Sequence, residues 1–239
     1  AAAGSFVALQ RRALARVPVA PKNEYDAVGL MRSFMRRAEG LTPVGSGFLP
    51  ESWLEDMLNS KLLARMARKG KKFYAQPGSP QGYPPVREQL ALKLGLVGIP
   101  ASPDHLLTTF GVTHGLDLIC RTLLTPGEMV AVEEPAYFGL YAQLRSHGIK
   151  LVGVPRLANG PDLAVLNQVC ATHRPRLFFT QTLLHNPTGS SIDAATAFQL
   201  LELSHRHGFM IVEDDVYFAR ILMDTAHEKG FKGLVALRG

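Results

Sequence analysis

Short apolar runs alternate with segments of helical spacing along residues 104–214. Runs with the length and composition of strands occur at 106–110, 129–135, 150–154, 176–181 and 209–214. Between them, apolar positions recur every three or four residues, which predicts helices at 113–124, 137–147 and 193–207. Strands that alternate with helices indicate an α/β fold, with three α/β/α layers around a mainly parallel sheet.

The chain before residue 104 has a different pattern. Residues 53–69 carry apolar side chains at helical spacing, and residues 86–94 predict another helix after a loop rich in glycine and proline. Residues 10–24 combine arginine, alanine and proline with little periodicity, as linkers do. This part of the chain therefore does not contribute to the alternating pattern.

The composition is that of a folded protein, with 46% hydrophobic and 19% charged residues among 239. No apolar run is long enough to span a membrane, and the first residues lack the pattern of a secretory signal. Cys120 and Cys170 suggest neither a disulfide framework nor a metal site. We therefore expect a reduced, cytoplasmic protein without a membrane partner.

Positive charge is concentrated in residues 1–72, which hold 13 Lys or Arg against 6 Asp or Glu, whereas residues 73–239 hold 13 against 14. A nearby nucleic acid or acidic partner would explain this excess. A solvated face of a basic helix, such as KLLARMARKGKK, would also explain it, as charge runs often do no more than face solvent. Both interpretations stay open from the sequence.

Four loops follow predicted strands and carry the candidate chemistry: GVTHG, EEPAY, HNPTG and EDDVY. Ligand sites in parallel sheets form where strands end at their carboxyl edge. In the first loop, Gly111 permits a tight turn into a helix whose N-terminal amides can bind a phosphate. The loop has neither a G-x-G-x-x-G pattern nor a P-loop lysine, so a dinucleotide or nucleoside triphosphate is poorly supported.

The second and third loops offer an aromatic ring and an amide. Tyr137 could stack on a planar ligand, or simply cap a helix start. Asn186 precedes Pro187, which holds its backbone extended and lets its amide point at a fixed acceptor. The alternative is an ordinary turn before a helix, with Asp193 or Ser191 near the N-cap.

The fourth loop places Glu213, Asp214 and Asp215 in succession at a strand end. Consecutive strand residues point to opposite faces, so the three carboxylates are not expected to converge on a metal ion. We expect one inward aspartate with outward neighbours. An inward carboxylate needs a proton or a cation, and a protonated aromatic nitrogen would serve.

These motifs, in this order, resemble those of the class I/II aminotransferases, pyridoxal-5′-phosphate enzymes of fold type I. The resemblance runs from about residue 45 to 218 and includes YAQPGSPQGYPPVREQLA, which is similar to the family's Y-x-x-x-x-G-x-x-x-L-R segment. NPTG and D-x-x-Y are specific only in combination. The resemblance implies the large domain of a pyridoxal-phosphate-dependent transferase, truncated and without the small C-terminal domain.

The resemblance also implies roles for individual residues. Asp214 would keep the pyridine nitrogen protonated, so that the ring withdraws electrons from the substrate α-carbon. Tyr217 and Asn186 would bind the 3′ oxygen of the cofactor, and Tyr137 would stack on its ring. The Val112 backbone and Thr113 would bind the phosphate. Tyr74 would reach the phosphate of the neighbouring subunit, which implies a homodimer. His114 has no clear role and is expected on the helix surface.

Within this family, the chain is most similar to regulators of the MocR type, in which an aminotransferase-like domain follows a GntR-class winged helix. AAGSFVAL resembles the last strand of such a wing, and PAYFGLYAQLRSHGI and IVEDDVYF are typical of the subfamily. The predicted domains are a wing remnant (1–9), a linker and arm (10–44), an incomplete cofactor domain (45–220) and an atypical tail (221–239). The resemblance implies DNA binding through a preceding domain and an effector that resembles an amino acid.

The Schiff-base lysine of the family is expected in a Ser-x-x-Lys-like segment, and neither Lys229 nor Lys232 lies in one. We therefore expect no catalytic residue in this chain, weak noncovalent cofactor binding and no transamination. A fragment of a free-standing aminotransferase is the alternative. A scaffold protein would not explain four ligand-type loops in the right order. A Rossmann dehydrogenase would need a glycine fingerprint, and this sequence does not contain one.

Overall fold

The computed structural model describes residues 60–68, 77–96 and 98–215. The predicted wing remnant, linker and tail lie outside these residues. The helices are α1 (Ser60–Ala67), α2 (Pro84–Leu96), α3 (Gly111–Leu123), α4 (Phe138–Ser146), α5 (Leu163–His173) and α6 (Ala194–His207), with a 3-10 turn at Pro103–His105. The strands are β1 (Met129–Glu134), β2 (Lys150–Leu157), β3 (Gly160–Pro161), β4 (Leu177–Thr180) and β5 (Met210–Glu213).

The sheet has the strand order β3-β2-β1-β4-β5. β1 pairs in parallel with β2 and β4, and β4 with β5, while the two-residue β3 is antiparallel to β2. The strand order changes direction at β1, so the loops after β1 and β4 leave the sheet side by side at its carboxyl edge. The predicted α/β class with a mainly parallel sheet is confirmed.

One hydrophobic layer covers each face of the sheet. On the first face, α3 and α4 pack against Val130 and Val132 of β1. On the second face, α5 and α6 pack against Ala131 of β1 and Phe178 of β4. Strand residues alternate between the layers because successive side chains point to opposite faces. This arrangement is the three-layer architecture that the sequence predicts.

Helix α3 has the buried face expected from its sequence. Leu116, Cys120 and Leu124 are buried, and Ile119 and Leu123 pack against the same cluster. Helix α6 begins after Asp193, whose side chain accepts a hydrogen bond from the Thr196 amide at 2.7 Å. Of the two N-cap candidates, Asp193 is therefore the one that caps the helix. Ser191 instead accepts a hydrogen bond from the Leu184 amide at 3.1 Å.

The strand predicted at 106–110 is wrong. Residues 106–109 form no strand pairing, and the backbone amide of Thr108 donates to the carbonyl of Gln81 at 3.0 Å. A strand needs a neighbouring strand to complete its hydrogen bonds, and none of the described strands pairs with this segment. Leu106, Leu107 and Thr109 instead line an apolar groove along β5, so the GVTHG loop follows an irregular segment rather than a strand.

Helix α5 was not anticipated from the sequence, and its start is fixed by Asp162. The Asp162 carboxylate accepts hydrogen bonds from the amides of Ala164 and Val165, both at 3.0 Å. Because first-turn amides have no partner within the helix, an N-cap side chain stabilises it.

We expect Asp162→Ala to lower the free energy of unfolding by about 1 kcal/mol, because it removes both capping hydrogen bonds. Asp162→Asn retains a capping oxygen and is expected to lose at most a few tenths of that amount. Urea unfolding followed by circular dichroism measures both variants. Equal losses in the two would contradict the capping role.

Candidate active site

The loops after β1, β4 and β5 meet in a small cleft at the carboxyl edge of the sheet. The residues that line it are Glu133, Ala136, Tyr137, Leu140, Phe179, Thr180, Gln181, His185 and Asp214. Of the residues predicted for the site, Tyr137 and Asp214 line this cleft together. Asn186 follows His185, and its backbone amide donates to Gln181 Oε1 at 2.6 Å. The peptide bonds Glu134–Pro135 and Asn186–Pro187 are both cis.

Asp214 begins the loop that follows β5 and is only 8% exposed. Its backbone amide donates to the carbonyl of Thr180 at 2.9 Å, which continues the β4–β5 pairing by one residue. Its Oδ1 atom is buried and accepts no hydrogen bond from any residue that the structure describes. Burial raises the pKa of the Asp214 carboxyl to about 6. A buried carboxylate in this state is suited to a cationic or proton-bearing partner.

The expectation that both neighbours of Asp214 face outward is wrong for Asp215. Asp215 is 4% exposed, and Glu213 is half-buried with its carboxylate accepting a hydrogen bond from the Thr182 hydroxyl. The alternation of faces holds only within a strand, and β5 ends at Glu213. Beyond that residue, strand geometry no longer determines the direction of a side chain.

Tyr137 is the N-cap residue of α4 and is half-buried at the wall of the cleft. Burial raises the pKa of its hydroxyl, and the charge of Asp214 raises it further. The tyrosine therefore remains a neutral ring at physiological pH. It also packs against the first hydrophobic layer, together with Val112 of α3.

The N-terminus of α3 carries Val112 and Thr113 in its first turn. Gly111 has a φ of +80°, the left-handed conformation that glycine adopts readily, so the predicted tight turn is present. The side chain of the N-cap residue Phe110 accepts no hydrogen bond from the first-turn amides. His114, expected on the helix surface, is half-buried, and its Nδ1 accepts a hydrogen bond from the Phe110 amide at 3.1 Å.

The buried carboxylate of Glu133 is part of the site that sequence reasoning missed. Glu133 is 1% exposed at the end of β1 and lies 2.6 Å from the guanidinium of Arg156 on β2. Its oxygens also accept hydrogen bonds from the Thr180 hydroxyl at 2.9 Å and the Gln181 amide at 3.0 Å. His185 Nε2 lies 3.2 Å from Glu133 Oε2.

Burial acts to raise the pKa of the Glu133 carboxyl, but the His185 side chain, the Gln181 amide and the Arg156 charge outweigh it. The pKa is therefore below the usual range of a glutamate, and Glu133 is ionised at neutral pH. The sequence did contain a signal for this residue, namely the alternation of side chains between the two faces of a strand. Glu133 follows four apolar residues of β1 and lies on the same face as the buried Ala131, so a charge there had to be buried and paired.

Several predicted features lie outside the described residues. These are Tyr74, Tyr217, Lys229 and Lys232. Within the described residues, no three His, Cys, Asp or Glu side chains are grouped as ligands for a metal ion. No helix in the described part of the chain is long and apolar enough to cross a membrane. Helix α1, from the basic N-terminal part, has every residue exposed.

Comparisons with known proteins find both aminotransferases and HTH-type transcriptional regulators. A family model described as Aminotransferase class I and II matches residues 40–228. A curated relative, 2-aminoadipate transaminase of Thermus thermophilus, is 31% identical over 73% of this chain and 45% of its own length. The uncharacterized HTH-type transcriptional regulator YdcR of Escherichia coli K12 is 26% identical over 90% of this chain and 47% of its own length.

A solved structure shares the fold. The crystal structure of LysN, the alpha-aminoadipate aminotransferase of Thermus thermophilus complexed with N-(5'-phosphopyridoxyl)-L-leucine, has a TM-score of 0.60 and 29% sequence identity. The alignment covers 72% of this chain and 45% of that chain. The chain thus spans just under half the length of each of these three proteins.

Proposed function

Since the chain belongs to the aminotransferase class I and II family, we propose that it is a pyridoxal-5′-phosphate-binding domain. The observation that carries this proposal is Asp214, a buried carboxylate beside Tyr137 with an oxygen that no described residue satisfies. A pyridinium N–H would supply both the missing hydrogen bond and the missing positive charge. The residues present therefore fit the cofactor of the family.

The chain's own residues would hold the cofactor from several sides. Asp214 would hold a proton on the ring nitrogen, and Tyr137 would stack on the ring. Asn186 would donate its side-chain amide to the 3′ oxygen, while its backbone amide is held by Gln181 Oε1. The phosphate would lie at the N-terminus of α3, held by the Val112 backbone and Thr113. When bound, the cofactor supplies an electron-withdrawing ring that stabilises negative charge at the substrate α-carbon.

The test is a titration of the purified protein with pyridoxal phosphate, followed by absorbance and tyrosine fluorescence. Asp214→Ala is expected to weaken binding by about tenfold or more, because it removes a charge-assisted hydrogen bond. Glu202→Ala removes an exposed carboxylate on α6 and is the matched control. Equal affinities of the wild type and Asp214→Ala would instead favour a scaffold protein of the same fold.

For the full-length parent, we propose a MocR/GntR-type transcriptional regulator that binds DNA through an N-terminal domain and responds to an amino-acid-like effector as a homodimer. The support is the similarity to YdcR over 90% of this chain, which reaches further than the transaminase match. Gel-shift assays on its own promoter region, with and without pyridoxal phosphate, test this. If no DNA is bound, the alternative is a free-standing aminotransferase acting on an amino acid and a 2-oxo acid, as the 31% identity to 2-aminoadipate transaminase supports.

A further inference from the structure

The carboxylate of Glu133 connects three separate segments of the chain beneath the cleft. Oε1 accepts from Arg156 of β2 at 2.6 Å and from the Thr180 hydroxyl of β4 at 2.9 Å. Oε2 accepts from the Gln181 amide at 3.0 Å and lies 3.2 Å from His185 Nε2. The side chains of Arg156 and His185 are both 0% exposed. Arg156, Thr180 and Gln181 are hydrogen-bonded to the carboxylate, whereas His185 Nε2 lies near it without completing a hydrogen bond. The three hydrogen bonds restrain the end of β1 against β2 and β4.

Gln181 connects this cluster to Asn186. Its backbone amide donates to Glu133, its backbone carbonyl accepts from Arg156 at 3.0 Å, and its side-chain Oε1 accepts from the Asn186 amide at 2.6 Å. The backbone of Asn186 is therefore one residue removed from the Glu133 carboxylate. A displacement of Gln181 would move Asn186 with it.

The rest of the HNPTG loop is held by the same cluster. His185 Nδ1 lies 2.9 Å from the Thr188 hydroxyl, and the Arg156 guanidinium donates to the Ser190 hydroxyl at 3.2 Å. The His185 amide donates to the Ser190 carbonyl at 2.8 Å, which closes the loop on itself. Both ends of the loop are thereby tied to residues that contact Glu133.

We propose that Glu133 is a positioning residue, which fixes the loop so that the Asn186 side-chain amide is set against the cofactor's 3′ oxygen. This inference rests on the proposed function, because it assigns Asn186 to the cofactor. Glu133 itself would not touch the cofactor. It acts by holding Gln181 and His185, and a site with a displaced Asn186 would bind the cofactor less tightly.

The first experiment measures amide hydrogen exchange in the cofactor-free protein. Glu133→Gln keeps the size of the side chain but places an NH₂ group among donors from Arg156, Thr180 and Gln181, which repel it. The backbone amide of Asn186 is expected to exchange at least about tenfold faster in this variant. The β1 amides of Val130 and Val132 report any global loss of stability, and the Asn186 backbone amide is expected to accelerate more than they do. The control, Glu134→Gln, makes the same change at the adjacent exposed position.

The second experiment is a double-mutant cycle on pyridoxal-phosphate affinity. We expect Glu133→Gln and Asn186→Ala each to weaken binding by about tenfold and to alter the absorption band of the bound cofactor in the same direction. The double variant is expected to bind no more weakly than Asn186→Ala alone, because both changes remove the same contact. A merely structural role for Glu133 would give additive losses and an unaltered band.

Gln181→Met keeps the inference testable if Glu133→Gln does not fold. This variant removes only the acceptor for the Asn186 amide, and it is expected to reproduce the faster exchange and the weaker binding. Additive losses in the cycle, or wild-type binding by both Glu133→Gln and Gln181→Met, would overturn the positioning role alone. Failure of the wild type to bind pyridoxal phosphate would overturn the proposed function and the positioning role together.

Discussion

Phe178→Ala is expected to lower the free energy of unfolding by about 3–5 kcal/mol, which is among the largest losses from truncation of a single side chain. Phe178 is 0% exposed at the centre of β4. Its ring meets that of Phe209 edge to face at 6.3 Å between centroids. Leu166 of α5 and Leu200 of α6 belong to the same cluster. The cavity would be bordered by two helices and a strand, which limits how far the surroundings can close it.

Denaturant unfolding followed by circular dichroism checks this prediction. Phe198→Ala is the matched control, because Phe198 is the same residue type on α6 but 62% exposed. We expect a change within about 0.5 kcal/mol for the control. A loss below about 1 kcal/mol for Phe178→Ala would contradict the packed second layer described above.

Asp214→Asn is expected to stabilise the cofactor-free protein at pH 8. The folded-state pKa of Asp214, about 6, lies above the ordinary value of 3.8 because burial disfavours the charged form. The folded state therefore binds the proton more tightly than the unfolded state, and stability decreases as pH rises between about 4 and 6. Above pH 6 the penalty is complete, at about 3 kcal/mol.

Asparagine removes the charge but retains a buried amide with its own cost, so we expect a net gain of about 1–3 kcal/mol at pH 8. At pH 4 the gain should nearly vanish, since Asp214 is then mostly protonated. Thermal or urea unfolding at both pH values measures the difference. Asp104→Asn, at a 91% exposed side chain, is the control and should change little at either pH. A gain of equal size at pH 4 and pH 8 would contradict burial of the charge as its cause.

The two roles of Asp214 are in conflict. The carboxylate destabilises the cofactor-free fold for the same reason that we propose it holds a cationic ring, namely that it is buried without a partner. Addition of the cofactor should reverse the order of stability, because binding stabilises only the variant that recognises the ligand. Wild-type protein saturated with pyridoxal phosphate is thus expected to unfold at a higher temperature than Asp214→Asn under the same conditions.

Much of the fold was predictable because periodicity records which face of an element is buried. The face of α3 with Leu116 and Cys120, and the strands β1, β4 and β5, follow directly from this pattern. The predicted strand at 106–110 failed because an apolar run indicates burial but does not supply a neighbouring strand. Helix α5 was overlooked, although Asp162 is an ordinary N-cap residue.

The site was predictable to the extent that single residues carry chemical signals. Asp214 and Tyr137 follow strands and meet in one cleft. The alternation of side chains along β1 marks Glu133 as a buried charge, but its partners could not be identified, since Arg156 and His185 reach it from distant parts of the chain. The orientation of Asp215 was also beyond reach, because it lies past the end of a strand. The domain boundaries and the roles of Tyr74 and Tyr217 stay predictions.

The two cysteines give the protein a separate chemical reporter on each face of the sheet. Cys120 lies in the layer under α3 and α4, and Cys170 in the layer under α5 and α6, and both are buried free thiols. Burial raises the pKa of Cys120 to about 11 and also raises that of Cys170, so neither thiol reacts readily in the folded state. The rate at which each is alkylated would therefore measure how often its own layer opens, and a comparison of the two would reveal whether the layers separate together or independently.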